Sequence, residues 1–259
     1  MGTALITGAS SGIGKDLAYI HAENLGNLVL VARSNDDLQE VKKDIESKYS
    51  VSVLVLAYDL TETHAAKEIY DTIKSEKIEI EYLINNAGFG GVGKFYEREW
   101  SQDKNMILLN ILALTELTRL FLPDFVAKNS GRIMNTSSTA SLLAGPNQAV
   151  YFASKAFVTS FSNAINEELY DKNVTVTALL PGATDTGFGS RSGMDRTKMF
   201  QNTASSREVA ETGYEAMMQG KRNVLAGVGF AGKILMYLIP FIPKSLLLSQ
   251  IRKAQETNT

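Results

Sequence analysis

Short apolar runs alternate with amphipathic stretches along the whole chain, a pattern typical of repeated β–α units around a parallel sheet. Residues 28–31 and 53–56 are apolar at every position, as expected for strands that are buried on both faces of such a sheet. The predicted strands are residues 3–7, 28–32, 53–57, 82–85, 132–136, 174–180 and 223–226.

The segments between these strands have helical periodicity. The predicted helices are residues 12–24, 36–48, 65–75, 101–128, 150–172 and 206–219. The sequence therefore predicts an α/β fold: a doubly wound, Rossmann-type, mostly parallel seven-stranded sheet with helices on both faces.

Nothing in the sequence divides the chain into separate units. Its 259 residues, 44% apolar and 21% charged, suffice for one core, and no linker-like stretch interrupts them. We therefore expect a single domain over residues 1–259. Within it, residues 187–203 are rich in Gly, Ser, Thr and charges and follow a strand end, which predicts a mobile substrate lid. Residues 230–259 form an apolar C-terminal extension.

Charge and cysteine content exclude several classes of function. Lys and Arg number 26 against 28 Asp and Glu, so no strong positive field attracts nucleic acid. The chain has no Cys, which excludes disulfides and thiolate chemistry and fits a reducing compartment. His21 and His64 match no metal-ligand pattern, so we expect both at the surface and predict no metal.

The beginning of the chain indicates a cytoplasmic protein. A glycine-rich turn starts at Gly8, where a signal peptide would still need its apolar stretch. The longest uninterrupted apolar runs are far shorter than the roughly 18 residues of a membrane span. We therefore expect no transmembrane segment.

The first predicted strand leads into a turn that suits a dinucleotide. It reads Thr-Gly-Ala-Ser-Ser-Gly-Ile-Gly from Thr7 to Gly14. Glycine allows a tight turn and a close approach of backbone N–H groups to a pyrophosphate at the positive end of the next helix. The predicted contacts are Gly8, Ser10, Ser11, Gly12, Ile13 and Gly14.

The second strand ends at a basic residue, Arg33, where an NAD site usually has an acidic one. A guanidinium can pair with the 2′-phosphate of NADP, so NADP is the favoured cofactor. Asp36 and Asp37 lie near enough in sequence to leave NAD open.

Two more strand ends carry small polar signatures at the edge where ligands bind. One is Asp59-Leu60, and the other is Asn85 followed by Asn86, Ala87 and Gly88. Each of these could also be an ordinary turn or helix cap.

Together with residues further along the chain, these motifs resemble the classical short-chain dehydrogenase/reductase family over nearly the whole sequence. The matching positions, in order, are Thr7 to Gly14, Asp59, Asn85 to Gly88, Asn110, Ser138, Tyr151, Lys155, Pro181, Gly182, Thr184 and Thr186. The resemblance implies an NAD(P)-dependent oxidoreductase that interconverts a carbonyl and a secondary alcohol, with a single dinucleotide-binding catalytic domain.

Tyr151 and Lys155 are the predicted proton-transfer pair. They are four residues apart on a predicted helix and therefore share one face. A nearby ammonium stabilises the phenolate and lowers the pKa of a phenol, which makes tyrosine usable as an acid or base.

The resemblance also implies the roles of the neighbouring residues. Tyr151 and Lys155 would contact the cofactor as well, Lys155 through the nicotinamide ribose, and Ser138 would orient the reacting oxygen. Asn110 would hold a water that links Lys155 to solvent; the alternative is a buried amide bonded to backbone. Spacing from Tyr151 alone selects Ser138 over Ser137.

The segment after the sixth strand completes the predicted cofactor site. By the resemblance, Pro181, Gly182, Thr184 and Thr186 would fix the nicotinamide ring, although a simple turn is an alternative. A further alternative for the whole protein is a non-catalytic dinucleotide-binding redox sensor, which would not need the proton-transfer residues.

Apolar side chains near the expected mouth indicate an apolar substrate such as a medium-chain ketone, a steroid-like alcohol or an acyl thioester. They are Phe89, Phe188, Met194, Met199 and Phe200. A peripheral-membrane lipid or steroid ketone reductase is therefore also open.

The C-terminal extension has three candidate partners: the substrate pocket, a second subunit or a membrane surface. Pro240 and Pro243 break any long amphipathic helix, so we expect burial of apolar residues such as Leu235, Phe241 and Leu246 against protein, with membrane attachment possible but not favoured. By the resemblance, the helices that carry Asn110 and Tyr151 pair between subunits, which predicts a homodimer or homotetramer.

Overall fold

The computed structural model describes residues 1–197, 200 and 202–255, and within them seven parallel strands form one sheet. Its strands are β1 (Thr3–Thr7), β2 (Leu28–Ala32), β3 (Val53–Ala57), β4 (Ile80–Asn85), β5 (Gly131–Thr136), β6 (Val174–Pro181) and β9 (Asn223–Ala226). They are ordered β3-β2-β1-β4-β5-β6-β9, and a separate parallel pair joins β7 (Thr184–Asp185) to β8 (Ala204–Ser205). The predicted fold class is confirmed.

Helices cover both faces of the sheet. They are α1 (Gly12–Glu23), α2 (Asn35–Lys48), α3 (Ala65–Ser75), α4 (Trp100–Ile107), α5 (Leu114–Lys128), α6 (Ala149–Glu168), α7 (Gly187–Ser192), α8 (Ser206–Met218), α9 (Phe230–Leu238) and α10 (Lys244–Gln255). One core cluster contains Leu17 of α1 and Met217 of α8, and another contains Ile69 of α3 and Phe121 of α5. Burial on both faces explains why β2 is apolar throughout.

Two predicted helices differ from the observed ones. The helix predicted over residues 101–128 contains a π-helical segment, Leu108–Ala113, between α4 and α5. The helix predicted over residues 150–172 ends at Glu168, because the chain turns at Leu169, whose side chain is buried, before β6 begins.

The helical region Trp100–Lys128 is long and apolar enough to cross a membrane by length and composition, which the uninterrupted runs did not indicate. Leu117, Phe121 and Phe125 on its α5 part are buried in the second core cluster. Packing of this kind is typical of a core helix.

The carboxyl ends of the strands bring the predicted motifs to one edge. The strand order reverses between β1 and β4, so the ends of these strands, Thr7 and Asn85, flank the crevice where doubly wound sheets bind ligands. Thr136 and Pro181 end β5 and β6 along the same edge.

The predicted lid is partly helical, with α7 and a 3₁₀ turn at Met194–Arg196. Three of its residues, Lys198, Met199 and Gln201, lie outside the described residues, as do residues 256–259 of the C-terminal extension.

In the extension, the burial expected from the sequence occurs at Ile239, which is 8% exposed. The single chain does not bury Leu235, Phe241 and Leu246, which are 51%, 83% and 55% exposed, so for these residues contact with a second subunit stays a prediction. The reason is the bend at Ile239–Phe241: it separates α9 from α10, and α10 buries Ile251 whereas the apolar side of α9 stays outside.

Candidate active site

Tyr151 and Lys155 lie one turn apart on α6, and both side chains are buried. Lys155 Nζ lies 6.0 Å from the centroid of the Tyr151 ring. It donates a hydrogen bond of 2.8 Å to the backbone oxygen of Thr136. The last carbonyl of β5 therefore fixes the ammonium group beside the phenol, on the helix face that the spacing predicts.

The pKa of Tyr151 differs from the sequence prediction, in which the Lys155 ammonium lowers it. Burial raises the pKa of Tyr151 to about 12, and a hydrogen bond with the Ser138 side chain only partly opposes this rise. Burial also lowers the pKa of Lys155 to about 8. Burial thus acts on the pKa of Tyr151 in the direction opposite to the effect expected of the Lys155 ammonium.

These pKa directions define what the pair can do chemically. With a raised pKa, Tyr151 is a neutral phenol near pH 7 and can donate a proton. Lys155 with its pKa near 8 is still mostly charged at that pH and can stabilise the phenolate that proton donation leaves. Tyr151 is therefore protonated in the resting site, which is the state from which it can donate a proton to a carbonyl oxygen.

Hydrogen bonds distinguish Ser138 from Ser137. The Ser137 hydroxyl donates to the backbone oxygen of Lys155 at 2.9 Å and lies 2.6 Å from Thr159 Oγ1, so it fastens α6 to β5. Ser138 Oγ accepts a bond from the backbone N–H of Ala140 and reaches Tyr151. Ser138 is thus both a cap and the hydroxyl next to the phenol, as its spacing predicts.

Asn110 is buried within the π-helical segment, where its side chain holds the loop after β4. Nδ2 donates to the backbone oxygen of Phe89 at 3.0 Å and to Ser154 Oγ at 3.1 Å. Oδ1 accepts from the backbone N–H of Phe89 at 3.1 Å. Both N–H groups are used, so the side chain is a buried amide bonded to backbone, and the water predicted at Asn110 stays a prediction.

Two glycines let the loop after β4 approach these groups. A Cβ at Gly88 would lie 3.1 Å from Asn110 Oδ1 and 3.3 Å from Lys155 Nζ. A Cβ at Gly90 would lie 2.5 Å from Met194 Cε and 3.2 Å from Tyr151 Cδ2. The loop therefore passes directly against the proton-transfer pair.

The predicted dinucleotide turn has the required geometry. Gly8 and Gly12 have φ values of +66° and +54°, in the left-handed region. A Cβ at Gly14 would lie 2.3 Å from the carbonyl oxygen of Gly8, so α1 starts directly against the turn. Ser11, the N-cap of α1, makes no side-chain capping bond, and the first turn has no acidic residue. The N–H groups at this helix end are thus suited to an anion.

The same turn is joined to the end of β4 by hydrogen bonds that the sequence analysis missed. Thr7 Oγ1 accepts bonds of 3.0 Å from the backbone N–H groups of Asn86 and Ala87. The Asn86 amide donates to the backbone oxygen of Thr7 at 3.1 Å. Ser10 and Ile13 are half-buried beside this junction.

A buried polar ladder beneath the site was also missed. Asn85 Nδ2 donates to Asn135 Oδ1 at 2.9 Å and to Thr118 Oγ1 at 3.1 Å. Asn135 in turn donates to Ser162 Oγ at 2.9 Å. Asn135 could have been found as a polar residue inside an apolar strand, which is rarely left without a partner.

The residues expected at the adenosine end lie at the ends of β2 and β3. Arg33 is exposed, and no hydrogen bond or ion pair engages it among residues 1–197, 200 and 202–255. Asp59 Oδ1 accepts from the backbone N–H and the hydroxyl of Thr61 at 2.9 and 2.8 Å, which makes it a turn residue as well. Leu60 is buried in the core.

The segment after β6 faces the glycine turn. A Cβ at Gly12 would lie 2.9 Å from Thr186 Cγ2, so Thr186 closes the other side of the crevice. Thr186 also caps α7, and Thr184 Oγ1 donates to the backbone oxygen of Gly182 at 3.0 Å. Pro181 pairs with Ala226, and a Cβ at Gly182 would meet the carbonyl of Gly227. The segment after β6 therefore packs directly against the glycine turn, and the cofactor contacts predicted for both stay a prediction.

An apolar cluster surrounds the phenol. The ring centroids of Tyr151 and Phe188 are 5.7 Å apart, and Met194 is buried in the same cluster. Phe89 and Phe200 pack against it. Of the apolar residues predicted at the mouth, only Met199 lies outside the described residues.

Gln148 is a candidate that the sequence analysis missed. It is 4% exposed, lines a small cavity together with Tyr151, and its Oε1 has no hydrogen-bond partner within the protein. A buried amide oxygen without a partner beside the phenol is suited to accept a bond from a substrate. The only signal in the sequence is its position three residues before Tyr151.

Comparison with known proteins agrees with this geometry. The profile of the short chain dehydrogenase family matches residues 2–197. The NADP-dependent 3-hydroxy acid dehydrogenase of Schizosaccharomyces pombe is 32% identical over 232 residues, which are 86% of this chain and 90% of that protein. A short-chain dehydrogenase from Sphingobium yanoikuyae in complex with NADPH superposes with a TM-score of 0.84 at 30% identity, covering 100% of this chain and 99% of that one.

The human very-long-chain 3-oxoacyl-CoA reductase is 37% identical over 189 residues, which are 69% of this chain. The match covers 58% of that protein, so this chain spans less than two thirds of its length.

The sheet, the glycine turn and the Tyr151–Lys155 pair define a nicotinamide-dependent oxidoreductase that interconverts a carbonyl and a secondary alcohol. The chain belongs to the short chain dehydrogenase family. The family, the class of cofactor and the reaction class predicted from the sequence are confirmed.

Proposed function

We propose that this protein is an NADPH-preferring reductase of apolar carbonyl compounds, in which Tyr151 protonates the substrate oxygen. The observation that carries the proposal is the position of Tyr151: its phenol is buried in an apolar cluster, with the Lys155 ammonium held 6.0 Å from its ring by the Thr136 carbonyl.

When bound, NADPH would supply the hydride for the carbonyl carbon. Tyr151 gives its proton to the carbonyl oxygen, and Lys155 stabilises the resulting phenolate. Ser138 donates a hydrogen bond to the same oxygen and thereby orients it. In the opposite direction Tyr151 must first lose its proton, which its raised pKa disfavours.

Asn110 acts as a positioning residue in this proposal. Its side chain fixes Phe89 next to Gly88 and Lys155, and the π-helical turn around it displaces backbone carbonyls from the regular helical pattern. A proton relay from Lys155 to solvent would therefore use the main chain of Asn110 rather than its amide.

The cofactor contacts proposed from the sequence divide into three groups. Gly8, Ser10, Ser11, Gly12, Ile13 and Gly14 hold the pyrophosphate, and Asp59, Leu60, Asn86, Ala87 and Gly88 border the adenosine half and the ribose. Pro181, Gly182, Thr184 and Thr186 contact the nicotinamide. The support is that these groups follow the carboxyl ends of β1, β3, β4 and β6 at one edge of the sheet, and that Thr186 packs against Gly12 of the turn.

A preference for NADPH rests on Arg33, which is exposed at the end of β2 and available for a 2′-phosphate. Arg33→Ala should raise the KM for NADPH by about 10- to 150-fold, equivalent to 1.5–3 kcal/mol for a charged hydrogen bond, and leave that for NADH nearly unchanged.

Steady-state kinetics with both cofactors test this preference. Arg222→Ala is the control. Arg222 is an exposed arginine immediately before β9, and it forms an ion pair with Glu167 on α6. If Arg33→Ala changed the KM values for NADPH and NADH equally, Arg33 would be a surface residue without a role in binding the 2′-phosphate.

The substrate class follows from the apolar cluster and from the names of relatives. Phe188, Met194 and Phe89 suit an apolar chain next to the reacting carbonyl. Two of the relatives are called a 3-hydroxy acid dehydrogenase and a 3-oxoacyl-CoA reductase, which supports a 3-oxoacyl substrate, as acid or thioester.

A panel of 3-oxoacyl compounds, medium-chain ketones and steroid ketones tests the activity through NADPH absorbance. Turnover of the 3-oxoacyl compounds is expected to be the fastest. A dinucleotide-binding sensor would bind NADPH without oxidising it with any member of the panel.

The proposal includes a single catalytic domain over residues 1–259, with residues 187–203 as a substrate lid and residues 230–259 as a C-terminal extension. Phe188 and Met194 of the lid pack directly over Tyr151, so substrate entry would require the lid to move. We also propose a cytoplasmic location, for which the absence of cysteine is the support.

A homodimer or homotetramer is proposed on the basis of exposed apolar residues on the two helical regions expected to pair. Leu112 in the π-helical segment and Phe157 on α6 are 52% and 39% exposed. Sedimentation or light scattering at micromolar concentration should give a dimer or larger species, and a monomer would contradict this assembly.

A further inference from the structure

The C-terminal part of the chain presents large apolar side chains to solvent. Phe230 and Phe241 are 81% and 83% exposed, and Ile234, Leu235 and Leu238 between them are 46%, 51% and 49% exposed. We call these five residues the apolar ridge. An exposed apolar surface of this kind marks a site of contact with a partner or a membrane.

The ridge lies on one side of α9. Phe230, Ile234 and Leu238 are spaced four residues apart and therefore form one stripe along the helix, with Leu235 beside it. Phe241 continues the stripe in the 3₁₀ turn that follows. The opposite side of the helix carries Gly232 and Met236, which are half-buried.

The ridge starts close to the candidate active site. β9 ends at Ala226, which pairs with Pro181, and Val228 Cγ2 would lie 3.1 Å from a Cβ at Gly182. α9 therefore leaves the body of the protein at the edge of the sheet where substrate and cofactor bind.

The charge of this segment is of one sign. Residues 216–255 contain no Asp or Glu, although the whole chain has a net charge of −2. Lys233 on α9 and Lys244 at the start of α10 are exposed on either side of the ridge. A surface that combines exposed aromatic and aliphatic side chains with lysines and lacks acids complements an anionic lipid surface.

We propose that the apolar ridge inserts into the interface of an anionic membrane, with Lys233 and Lys244 against the lipid headgroups. This reverses the preference for protein contact drawn from the proline pattern alone. The bend at Ile239–Phe241 does not prevent insertion, because it keeps Phe241 on the exposed side. Docked in this way, the protein would hold its substrate edge near the bilayer, where apolar carbonyl compounds accumulate.

A second copy of the chain is a less suitable partner. In a two-fold interface the same patch meets itself, so the lysines that flank one ridge would approach those that flank the other. Residues 216–255 offer no carboxylate to pair with them. Phosphate groups of lipids supply the missing negative charge.

The full chain can be tested by flotation with vesicles of phosphatidylcholine alone and of an equal mixture of phosphatidylcholine and phosphatidylglycerol. The protein should float with the anionic vesicles and much less with the neutral ones, and rising salt should weaken binding. The double variant Phe230→Ser/Phe241→Ser should lose at least about tenfold in binding, because two large apolar side chains no longer enter the lipid.

The matched control is Tyr96→Ser/Tyr170→Ser, which removes two aromatic rings that are 78% and 84% exposed elsewhere on the surface. It should bind like the wild type. Lys233→Glu/Lys244→Glu should abolish the preference for anionic vesicles. Thermal unfolding of each variant checks the fold; all four substituted ridge and lysine positions are exposed, so the unfolding temperature should not change.

Three results would overturn the proposal. The first is a wild-type protein that stays with the soluble fraction at low salt. The second is equal loss of binding in the control and ridge variants. The third is an oligomer that dissociates in Phe230→Ser/Phe241→Ser without any vesicle binding by the wild type, which would identify a second copy as the partner. None of these readouts depends on turnover, so the result is separate from the proposed function.

Discussion

Two places in the described part of the chain bury a tyrosine beside a basic side chain, and they differ in how the polar atoms are paired. At one, His21 Nδ1 lies 2.9 Å from the Tyr214 hydroxyl and Nε2 lies 2.9 Å from the backbone oxygen of Gly2. A carbonyl can only accept, so Nε2 carries the proton and Nδ1 accepts from Tyr214. Both ring nitrogens therefore have hydrogen-bond partners within the protein, and we call His21 and Tyr214 the closed pair.

The other place holds Tyr151 and Lys155, which we call the open pair because their polar groups have fewer partners within the protein. Lys155 donates one bond, to Thr136, and its side chain touches a loop of glycines rather than a closed shell. The Tyr151 hydroxyl has Ser138 as its neighbour, and both lie at the ligand edge of the sheet. Burial shifts the pKa of the basic residue downward at both sites, so the shift alone does not distinguish structure from chemistry. Unused hydrogen-bonding capacity at a crevice does.

The largest expected effect is on turnover at the open pair. Tyr151→Phe removes the transferable proton and keeps the ring, so kcat should fall by about 10²- to 10⁴-fold while NADPH binding is retained. Tyr214→Phe is the matched control, since it removes a buried phenol hydroxyl at the closed pair and should leave kcat near the wild-type value. Near-normal turnover in Tyr151→Phe would refute the proposed mechanism.

Much of the fold and the pairing of Tyr151 with Lys155 could be predicted from the sequence. The strands could be located because residues buried on both faces are apolar throughout, and the motifs at their ends could be placed on one edge because parallel strands share a direction. Tyr151 and Lys155 could be paired by their spacing alone.

What could not be predicted depends on contacts between distant residues. His21 was expected at the surface, and it is buried because its partners, Gly2 and Tyr214, come from the two ends of the chain. The pKa of Tyr151 could not be predicted either, because desolvation depends on Phe188 and Met194, which fold over the ring from the lid. Periodicity carries no information about such long-range packing.

The closed pair should make the free energy of unfolding sensitive to acid. Burial lowers the pKa of His21 to about 4, below its ordinary value of 6.5. Between these values the unfolded chain binds a proton that the folded protein does not, so the free energy of unfolding falls as the pH falls from 6.5 to 4. The loss should reach about 3 kcal/mol at pH 4, and it should be absent above pH 6.5.

Denaturant titrations across this pH range measure the effect. His21→Gln keeps a donor for Gly2 and an acceptor for Tyr214 but cannot be protonated, so it should unfold with a shallower pH dependence than the wild type. His64→Gln, a change at an exposed histidine, should behave like the wild type. A His21→Gln curve parallel to that of the wild type would mean that other groups cause the acid sensitivity.

Removing the partner of His21 should have a smaller effect on stability. Tyr214→Phe leaves Nδ1 of a fully buried ring without a donor, which should lower the free energy of unfolding by about 1–3 kcal/mol. Tyr170→Phe is the control, because the Tyr170 side chain is 84% exposed and loses no buried bond. Equal stability of the two variants would show that the closed pair is not held by this hydrogen bond.

The smallest effect concerns the pH dependence of reduction at the open pair. Since the pKa of Lys155 is lowered to about 8, kcat/KM for reduction should be constant below that pH and reach half its maximum near pH 8 as the ammonium is lost. Oxidation of the alcohol should instead rise with pH, because it needs the Tyr151 phenolate, whose pKa is about 12.

The variant Lys155→Arg tests whether the fall in kcat/KM for reduction near pH 8 is caused by deprotonation of Lys155. A guanidinium keeps its charge over the whole range, so the activity that remains should lose the decline near pH 8, although its absolute value will be lower in a pocket shaped for lysine. NADPH titration by fluorescence shows whether the variant still folds and binds. A decline that persists unchanged in Lys155→Arg would assign it to another group, and Lys155 would then resemble His21, with its charge serving structure rather than proton transfer.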